Sequence, residues 1–407
     1  MKISKNSCYE IMLTYRCNAR CLFCSQGDFD KTVYSSLSEV AKDIYSSWKD
    51  GYRRIGFTGG EPLVSPLIFQ SLALAKKVGY GFIRIQTNGI KLGDPGFCEK
   101  LAAAGLTFCK FSLTSDTAEE HDRFMGVKGA HAAAVRGIKK LQELKIRISI
   151  NIVINRFNYK RLNDIIKYYI SLGVSNFVIV YPNYVGNMAV NAGELGVSLS
   201  ACAPYFVKAA DMMESFGIGN EILFLNVPAC FLKGRESLSI GLTPFNTTVT
   251  NPFGEKTYLD DVSRNYRKLL RGCEGCAYSD TCSGMDIHYT GLFGENEVSP
   301  VSLAAADRQK GAGEDIDEKD NQKVLVLTDN EKCFIEVLKN RGQITTSEVL
   351  RLAKDLPLCR DCIDGNAVLN ASVRLIKKGI IEKKFFRGRY LWKLSASAYA
   401  ENGAAAH

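Results

Sequence analysis

The chain has 407 residues, 46% apolar and 23% charged, with a formal net charge of +9, enough for about two or three domains with real cores. No stretch approaches the length of a membrane-spanning helix, and the start, Met1 to Asn6, lacks the apolar core of a signal peptide. Fourteen cysteines without a secretion signal point to reduced thiols and metal rather than disulfides, hence to a cytoplasmic protein with no membrane partner. The positive charge fits anionic partners without choosing among them.

In chain order, the first chemical feature is Cys17-Asn18-Ala19-Arg20-Cys21-Leu22-Phe23-Cys24. Three thiols of this spacing wrap one face of an iron–sulfur cube and leave one iron without a protein ligand, open to a small molecule. A zinc knuckle short of its fourth ligand is the other reading. Arg54 to Phe57 is a short apolar strand leading into Thr58-Gly59-Gly60-Glu61-Pro62, where glycines permit close backbone approach and the acid can meet an ammonium group. Strands are expected at 82–89, 108–113, 146–154 and 177–180, and helices at 129–144 and 163–172. This rhythm predicts an α/β fold, a parallel sheet curled into a partial (β/α)6 TIM-type barrel. Ligands bind such barrels at the C-terminal ends of the strands, where these motifs fall.

The cysteine loop, the Gly-Gly-Glu turn and the strand order resemble the radical S-adenosylmethionine (SAM) superfamily from about Ser7 to Pro182. The resemblance implies a [4Fe–4S] cluster on Cys17, Cys21 and Cys24 that binds SAM at its open iron. One electron, from a donor such as flavodoxin or ferredoxin, then yields a 5′-deoxyadenosyl radical that takes a hydrogen atom from substrate. It also implies that Gly59, Gly60 and Glu61 meet the methionyl amino group, that Phe23 packs near the adenine, and that Ser112 and Asn151 contact the ribose and carboxylate. Thr114 departs from the family, where many members carry an acid two residues after the serine; Asp116 is the candidate substitute. His121-Asp122 is read as bracing its loop.

A second cluster, Cys273, Cys276 and Cys282, has spacings of two and five and a glycine exit at Ser283-Gly284. It resembles the auxiliary-cluster segment of radical SAM enzymes with a SPASM or twitch extension. The resemblance implies one auxiliary [4Fe–4S] cluster whose fourth ligand is Cys230, with Cys202 as the alternative. A zinc ion on the same four thiolates remains the competing reading. Cys8, Cys98 and Cys109 look like small buried apolar residues.

Beyond Pro300 the stretch 304–323 is charged and free of aromatics, and reads as a linker. Helices are expected at 330–339, 345–353 (capped by Thr345 or Thr346) and 366–378, followed by a hairpin turning at Arg387-Gly388. This resembles a winged-helix domain. Arg374, Lys377 and Lys378 would be its basic edge for nucleic acid, and the wing strand its edge for a peptide. Cys359 and Cys362 read as two loose thiols. The expected domains are residues 1–200 (barrel), 201–300 (auxiliary cluster), 301–325 (linker), 326–396 (winged helix) and 397–407 (tail). The leading functional expectation is radical modification of a ribosomally made peptide. Oxidation or epimerisation of a small molecule, such as a sugar or cofactor precursor, comes second, and a nucleic-acid-binding iron–sulfur regulator third.

Overall fold

The computed structural model describes residues 3–242 and 245–303, and beyond them 329–339, 341, 343–353, 372, 375–376, 380–386 and 389–395. It divides into two compact units, Met1–Lys319 and Asp320–His407.

The first unit alternates strands and helices: β1 (Cys8–Met12), α1 (Leu37–Lys49), β2 (Arg54–Thr58), α2 (Ile68–Val78), β3 (Phe82–Thr87), α3 (Pro95–Ala104), β4 (Phe108–Ser112), α4 (Ala118–Met125), α5 (Ala130–Glu143), β5 (Arg147–Val153), α6 (Leu162–Ser171) and β6 (Asn176–Val180). Three further helices, α7 (Asn187–Val190), α8 (Ala192–Leu195) and α9 (Leu199–Ser215), lead to β7 (Ile222–Leu225). Neighbouring strands from β1 to β7 are parallel and in sequence order. At the other edge β8 (Thr247–Thr250) lies parallel to β1, and β9 (Lys256–Tyr258) antiparallel to β8. The result is an α/β fold with a large, mostly parallel sheet of the partial TIM type. The strands expected at 82–89, 108–113, 146–154 and 177–180 form within two residues of those bounds. The segment after residue 201 is continuous with the barrel, since it supplies three strands of the same sheet.

Parallel strands covered on both faces usually read as unbroken apolar runs. Here they alternate. Ile55, Phe57, Ile83, Ile85, Cys109, Phe111, Ile150 and Ile152 are buried toward the helices. The opposite, interior face carries Glu10, Arg84, Gln86, Lys110, Ser112, Ser149 and Asn151, which is what a lumen that receives polar ligands requires. α1 starts on a capping box, Glu39 N donating to Ser36 Oγ while Ser36 N donates to the Glu39 carboxylate. After β9 come α10 (Leu259–Asn265), a small antiparallel pair, β10 (Arg267–Lys268) with β11 (Met285–Asp286), and α11 (Ile287–Phe293).

The second unit contains helices Asp329–Leu338 and Thr346–Ala353 and an antiparallel sheet in which β14 (Arg389–Leu394) lies between β12 (Ile344–Thr345) and β13 (Ile381–Phe386). Phe334, Val337, Leu338, Val349, Leu375 and Trp392 fill its core. Thr345 is the helix cap: its hydroxyl accepts from Glu348 N, and its own N–H donates to the Glu348 carboxylate at 2.7 Å. Most of the expected linker, most of the third helix with Arg374, Lys377 and Lys378, the turn at Arg387-Gly388, Cys359, Cys362 and the tail lie outside the described residues. Among the described residues no helix is long and apolar enough to cross a membrane.

Candidate active site and candidate metal centre

The cysteine loop crosses the C-terminal ends of the strands and is held almost entirely by its main chain. Arg20 N and Leu22 N donate to Met125 O and Phe124 O at the end of α4, both at 2.9 Å. On the other side Asn187 donates twice, N to Cys24 O and Nδ2 to Cys21 O, and Asn191 Nδ2 donates to Leu22 O, each at 2.9 Å. With the backbone so engaged, the half-buried thiols of Cys17, Cys21 and Cys24 are left for another purpose. Around Cys17 Sγ lie Ala19 N at 3.4 Å and Asn88 Nδ2 at 3.7 Å, donors of the kind that tune a metal-bound sulfur. Burial pushes the Cys17 and Cys21 thiols up, and for Cys21 the charges of Cys17 and Cys24 add to it. The donor set, three cysteine sulfurs on one loop with N–H donors around Cys17, fits an iron–sulfur cluster. Phe23, half-buried, sits beside Cys24 in the same loop.

Gly59 and Gly60 let this loop come close. A Cβ on Gly59 (φ 137°) would lie 2.2 Å from Thr14 O, and one on Gly60 would lie 2.4 Å from both Tyr15 O and Arg16 O. Gly60 N and Glu61 N donate to Thr14 O and Arg16 O at 2.8 and 2.9 Å. The Glu61 carboxylate, 1% exposed, accepts from Thr87 Oγ1 (2.7 Å), Asn88 N (2.7 Å) and Leu63 N (3.1 Å). Burial pushes its carboxyl up to about 7 against the pull of these three donors. Glu61 thereby ties the turn after β2 to the turn after β3, whose Asn88 reaches back to Cys17.

Ser112 ends β4 and pairs in register with Asn151 of β5. Asn151 Oδ1 and Ser149 Oγ are buried without a hydrogen-bond partner. Asp116 is engaged by Arg161 at 2.7 Å, and Thr114 is buried against His121. Asp122 receives Gly129 N and, at 2.9 Å, His131 N, so it ties the start of α5 to α4.

The second thiol group is built on the loop between β10 and β11 together with the turn after β7. Cys230, Cys273, Cys276 and Cys282 line one open cavity of about 400 Å³ with Pro228, Ala229, Gly284 and Met285. Val301 N donates to Cys276 Sγ and Gly284 N to Cys282 Sγ, both at 3.4 Å. Burial pushes the Cys230 thiol up to about 12, partly offset by a backbone N–H from Ser299, with Cys282, Cys273 and Cys276 adding to the rise. Cys202 is fully buried on α9 and is not among the residues lining this cavity. Among the described residues no three Cys, His, Asp or Glu converge tightly enough to grip a single ion. A tetrahedral zinc needs every sulfur about 2.3 Å from one point.

On the loop after β6 and on α11, Tyr181, Tyr184, Tyr289 and Phe293 pack with ring centroids 4.8–6.5 Å apart. Tyr289 O–H donates to Glu297 and accepts from Leu199 N. A second cavity of about 190 Å³ opens beside them, where Asn183 and Asn226 meet Arg267 and Asp286. Sequence reasoning gave no role to Asn88, Asn187 or Asn191. The only trace of them was that Asn88 and Asn187 follow strands, at the ends where ligands bind.

The parallel α/β sheet thus carries three thiols on the loop beyond the C-terminal end of its first strand. Residues 11–169 match the Radical SAM superfamily. The PqqA peptide cyclase of Gluconobacter oxydans is 26% identical over 182 residues, which are 43% of this chain and 49% of that protein. The AdoMet-dependent heme synthase of Nitratidesulfovibrio vulgaris is 29% identical over 157 residues, 38% of this chain and 42% of that one. The chain thus spans about half the length of these curated relatives or slightly less. Among solved structures, SuiB of Streptococcus suis bound to its precursor peptide SuiA superposes with a TM-score of 0.53 at 15% identity, over 68% of this chain and 71% of that one. At that identity the likeness is one of fold.

Proposed function

We propose that this chain is a radical SAM maturase that modifies a ribosomally synthesised peptide with the help of an auxiliary [4Fe–4S] cluster. The observation that carries the reading is the pair of thiol groups in one unit: three on the loop above the barrel, four lining a separate cavity. Cys17, Cys21 and Cys24 hold the first cluster and leave its fourth corner to SAM. Phe23 flanks the adenine, Gly59, Gly60 and Glu61 form the wall beside the methionyl group, and Ser112 and Asn151 face the ribose and carboxylate. Cys230, Cys273, Cys276 and Cys282 hold the second cluster. Loaded with SAM and reduced by one electron from an external donor, the first cluster would supply the chemistry for hydrogen-atom abstraction, and the second would offer an acceptor for the electron left on substrate.

A peptide substrate is supported by the relative named as a PqqA peptide cyclase and by the fold shared with SuiB, seen with a precursor peptide. The winged-helix-like second unit supplies the dock: β13 has β14 on one side, and a leader segment would add to the other by strand pairing. A small-molecule reaction is the second reading, favoured by the heme synthase and by a relative named as a probable GTP 3′,8-cyclase. A cytoplasmic flavodoxin or ferredoxin would deliver the electron. The test is 5′-deoxyadenosine release by anaerobically reconstituted, dithionite-reduced protein. Replacing Cys17, Cys21 and Cys24 by alanine should abolish it; persistent release would refute the site. Removing residues 326–407 should abolish peptide modification while 5′-deoxyadenosine is still formed. Unchanged turnover of a small substrate after that deletion would establish the second reading instead.

A further inference from the structure

We propose that the barrel interior holds a subsite for a substrate carboxylate, formed by the adjacent side chains of Gln86, Lys110 and Ser149. This rests on the reading of the barrel as a radical SAM active site and adds to it the chemistry of the molecule that reacts there.

The ladder sets the row. Gln86 of β3 pairs with Lys110 of β4, and Lys110 with Ser149 of β5. Neighbouring strands are about 4.8 Å apart, so the three side chains line roughly 10 Å of one interior rung. Cys109 and Phe111, which flank Lys110, are fully buried on the helix side, so Lys110 faces the lumen. Among the described residues no hydrogen bond or ion pair is made by the side chain of Gln86 or Lys110. Ser149 Oγ and Asn151 Oδ1 are buried and equally without one. Native interiors rarely leave so many adjacent polar groups unmatched, and those they leave usually await a ligand or an ordered water.

Charge says which ligand. The other ionisable groups facing this part of the lumen are Cys8 and Glu10 from β1 and Arg84 from β3. Glu10 is already taken: Arg84 Nε donates to its Oε1 at 2.9 Å, and a second bond comes from the same guanidinium. Gly56 sits between the two strands that carry this pair. A Cβ there would lie 3.0 Å from Glu10 Oε1 and 3.2 Å from Arg84 Nε. Lys110 is therefore the cation left without a counter-charge. Burial, with Arg84 adding, pulls its ammonium down to about 8, which leaves it mostly protonated near neutrality. A half-buried cation without an ion-pair partner is costly, and one anionic head group relieves the cost. A single surplus positive charge, a hydroxyl and one amide match a monoanionic carboxylate better than a phosphate dianion. The row lies one ladder step below Ser112 and Asn151, about 7 Å further into the barrel, beneath the residues assigned to SAM. The carboxylate is accordingly the substrate's: an Asp or Glu side chain, or a chain terminus, near the residue that loses hydrogen.

Bromide is a probe for this site. Crystals of the reconstituted protein soaked in sodium bromide should show an anomalous peak in contact with Lys110 Nζ and Ser149 Oγ, and the peak should persist when SAM is bound. Lys110→Met should abolish it, and Ser149→Ala, which keeps the charge, should weaken it. In solution, sodium acetate should raise the melting temperature of the wild-type protein more than acetamide at equal ionic strength, and the acetate affinity should fall at least tenfold in Lys110→Met. Absence of the peak from wild type, or an equal peak in Lys110→Met, overturns the subsite. Displacement of bromide by SAM overturns its assignment to substrate. Release of 5′-deoxyadenosine by the same wild-type preparation reports separately on the cofactor reading: its absence would sink that reading and leave the bromide result standing.

Discussion

Gly60→Ala is the sharpest probe of how the cysteine loop is seated. The added Cβ would lie 2.4 Å from the carbonyl oxygens of Tyr15 and Arg16, about 1 Å inside ordinary contact, and both obstacles are backbone that cannot rotate aside. Relief requires the loop to lift, which breaks or lengthens the hydrogen bonds from Gly60 N to Thr14 O and from Glu61 N to Arg16 O. Those two bonds are worth about 1 kcal/mol each. Overpacking adds roughly 1–3 kcal/mol, and alanine's smaller unfolded-state entropy returns about 0.5–1 kcal/mol. The net loss is about 3 kcal/mol, a drop in melting temperature of roughly 6–10 °C. The functional loss should be larger, because Cys17 directly follows the displaced residues and metal ligands tolerate only about 0.2 Å of misplacement. Anaerobically reconstituted wild-type protein should hold about eight irons, and Gly60→Ala roughly four, with the auxiliary site still filled. A variant that kept all its iron and melted within about 2 °C of wild type would show that the loop is not seated by this close approach.

Three further outcomes follow from the geometry. Arg84→Met leaves Glu10 buried without its partner and should cost about 3 kcal/mol in denaturant unfolding, part of it recovered in the double variant with Glu10→Gln; additive losses would refute the pairing. Cys202→Ser should keep full iron while Cys230→Ser loses iron from the auxiliary site, since only Cys230 lines that cavity; the reverse pattern would exchange their roles. Glu61, raised from 4.5 to about 7 in the folded protein, binds its proton more tightly there than in the unfolded chain. Its contribution is full below about pH 4.5 and is lost as pH rises through 7, by roughly 3 kcal/mol in all. The stability difference between wild type and Glu61→Gln should track that window, and a difference constant from pH 4.5 to 8 would contradict it.

What could be read from the chain alone was whatever is local. The spacing of the thiols at 17, 21 and 24 and at 273, 276 and 282 is a property of short loops, and the strands β3 to β6 announce themselves by period-two alternation between helical stretches. What could not be read depends on distant pairings. Asn187 donates to Cys21 O across 166 positions, and nothing in Tyr184-Val185-Gly186-Asn187 says which loop it will meet. Spacing could not separate Cys230 from Cys202; the cavity that one lines and the other does not is a three-dimensional fact. Lys110 lay in plain view in Phe108-Cys109-Lys110-Phe111-Ser112, where alternation assigns it a face but not the company it keeps. That company is set by Glu10 and Arg84, brought over from β1 and β3.

The pairing of β8 with β1 has a consequence for biosynthesis. β1 carries the cysteine loop at its end, yet one of its two hydrogen-bonding neighbours is encoded about 240 positions later. Until the ribosome has released residues 247–250, that strand has an open edge, and Tyr9 lacks the Thr250 hydroxyl it meets at 2.5 Å. A nascent chain halted before this point would expose a sticky margin beside three unprotected thiols. Metal loading at the amino-terminal loop is therefore expected to wait for the distal segment to arrive.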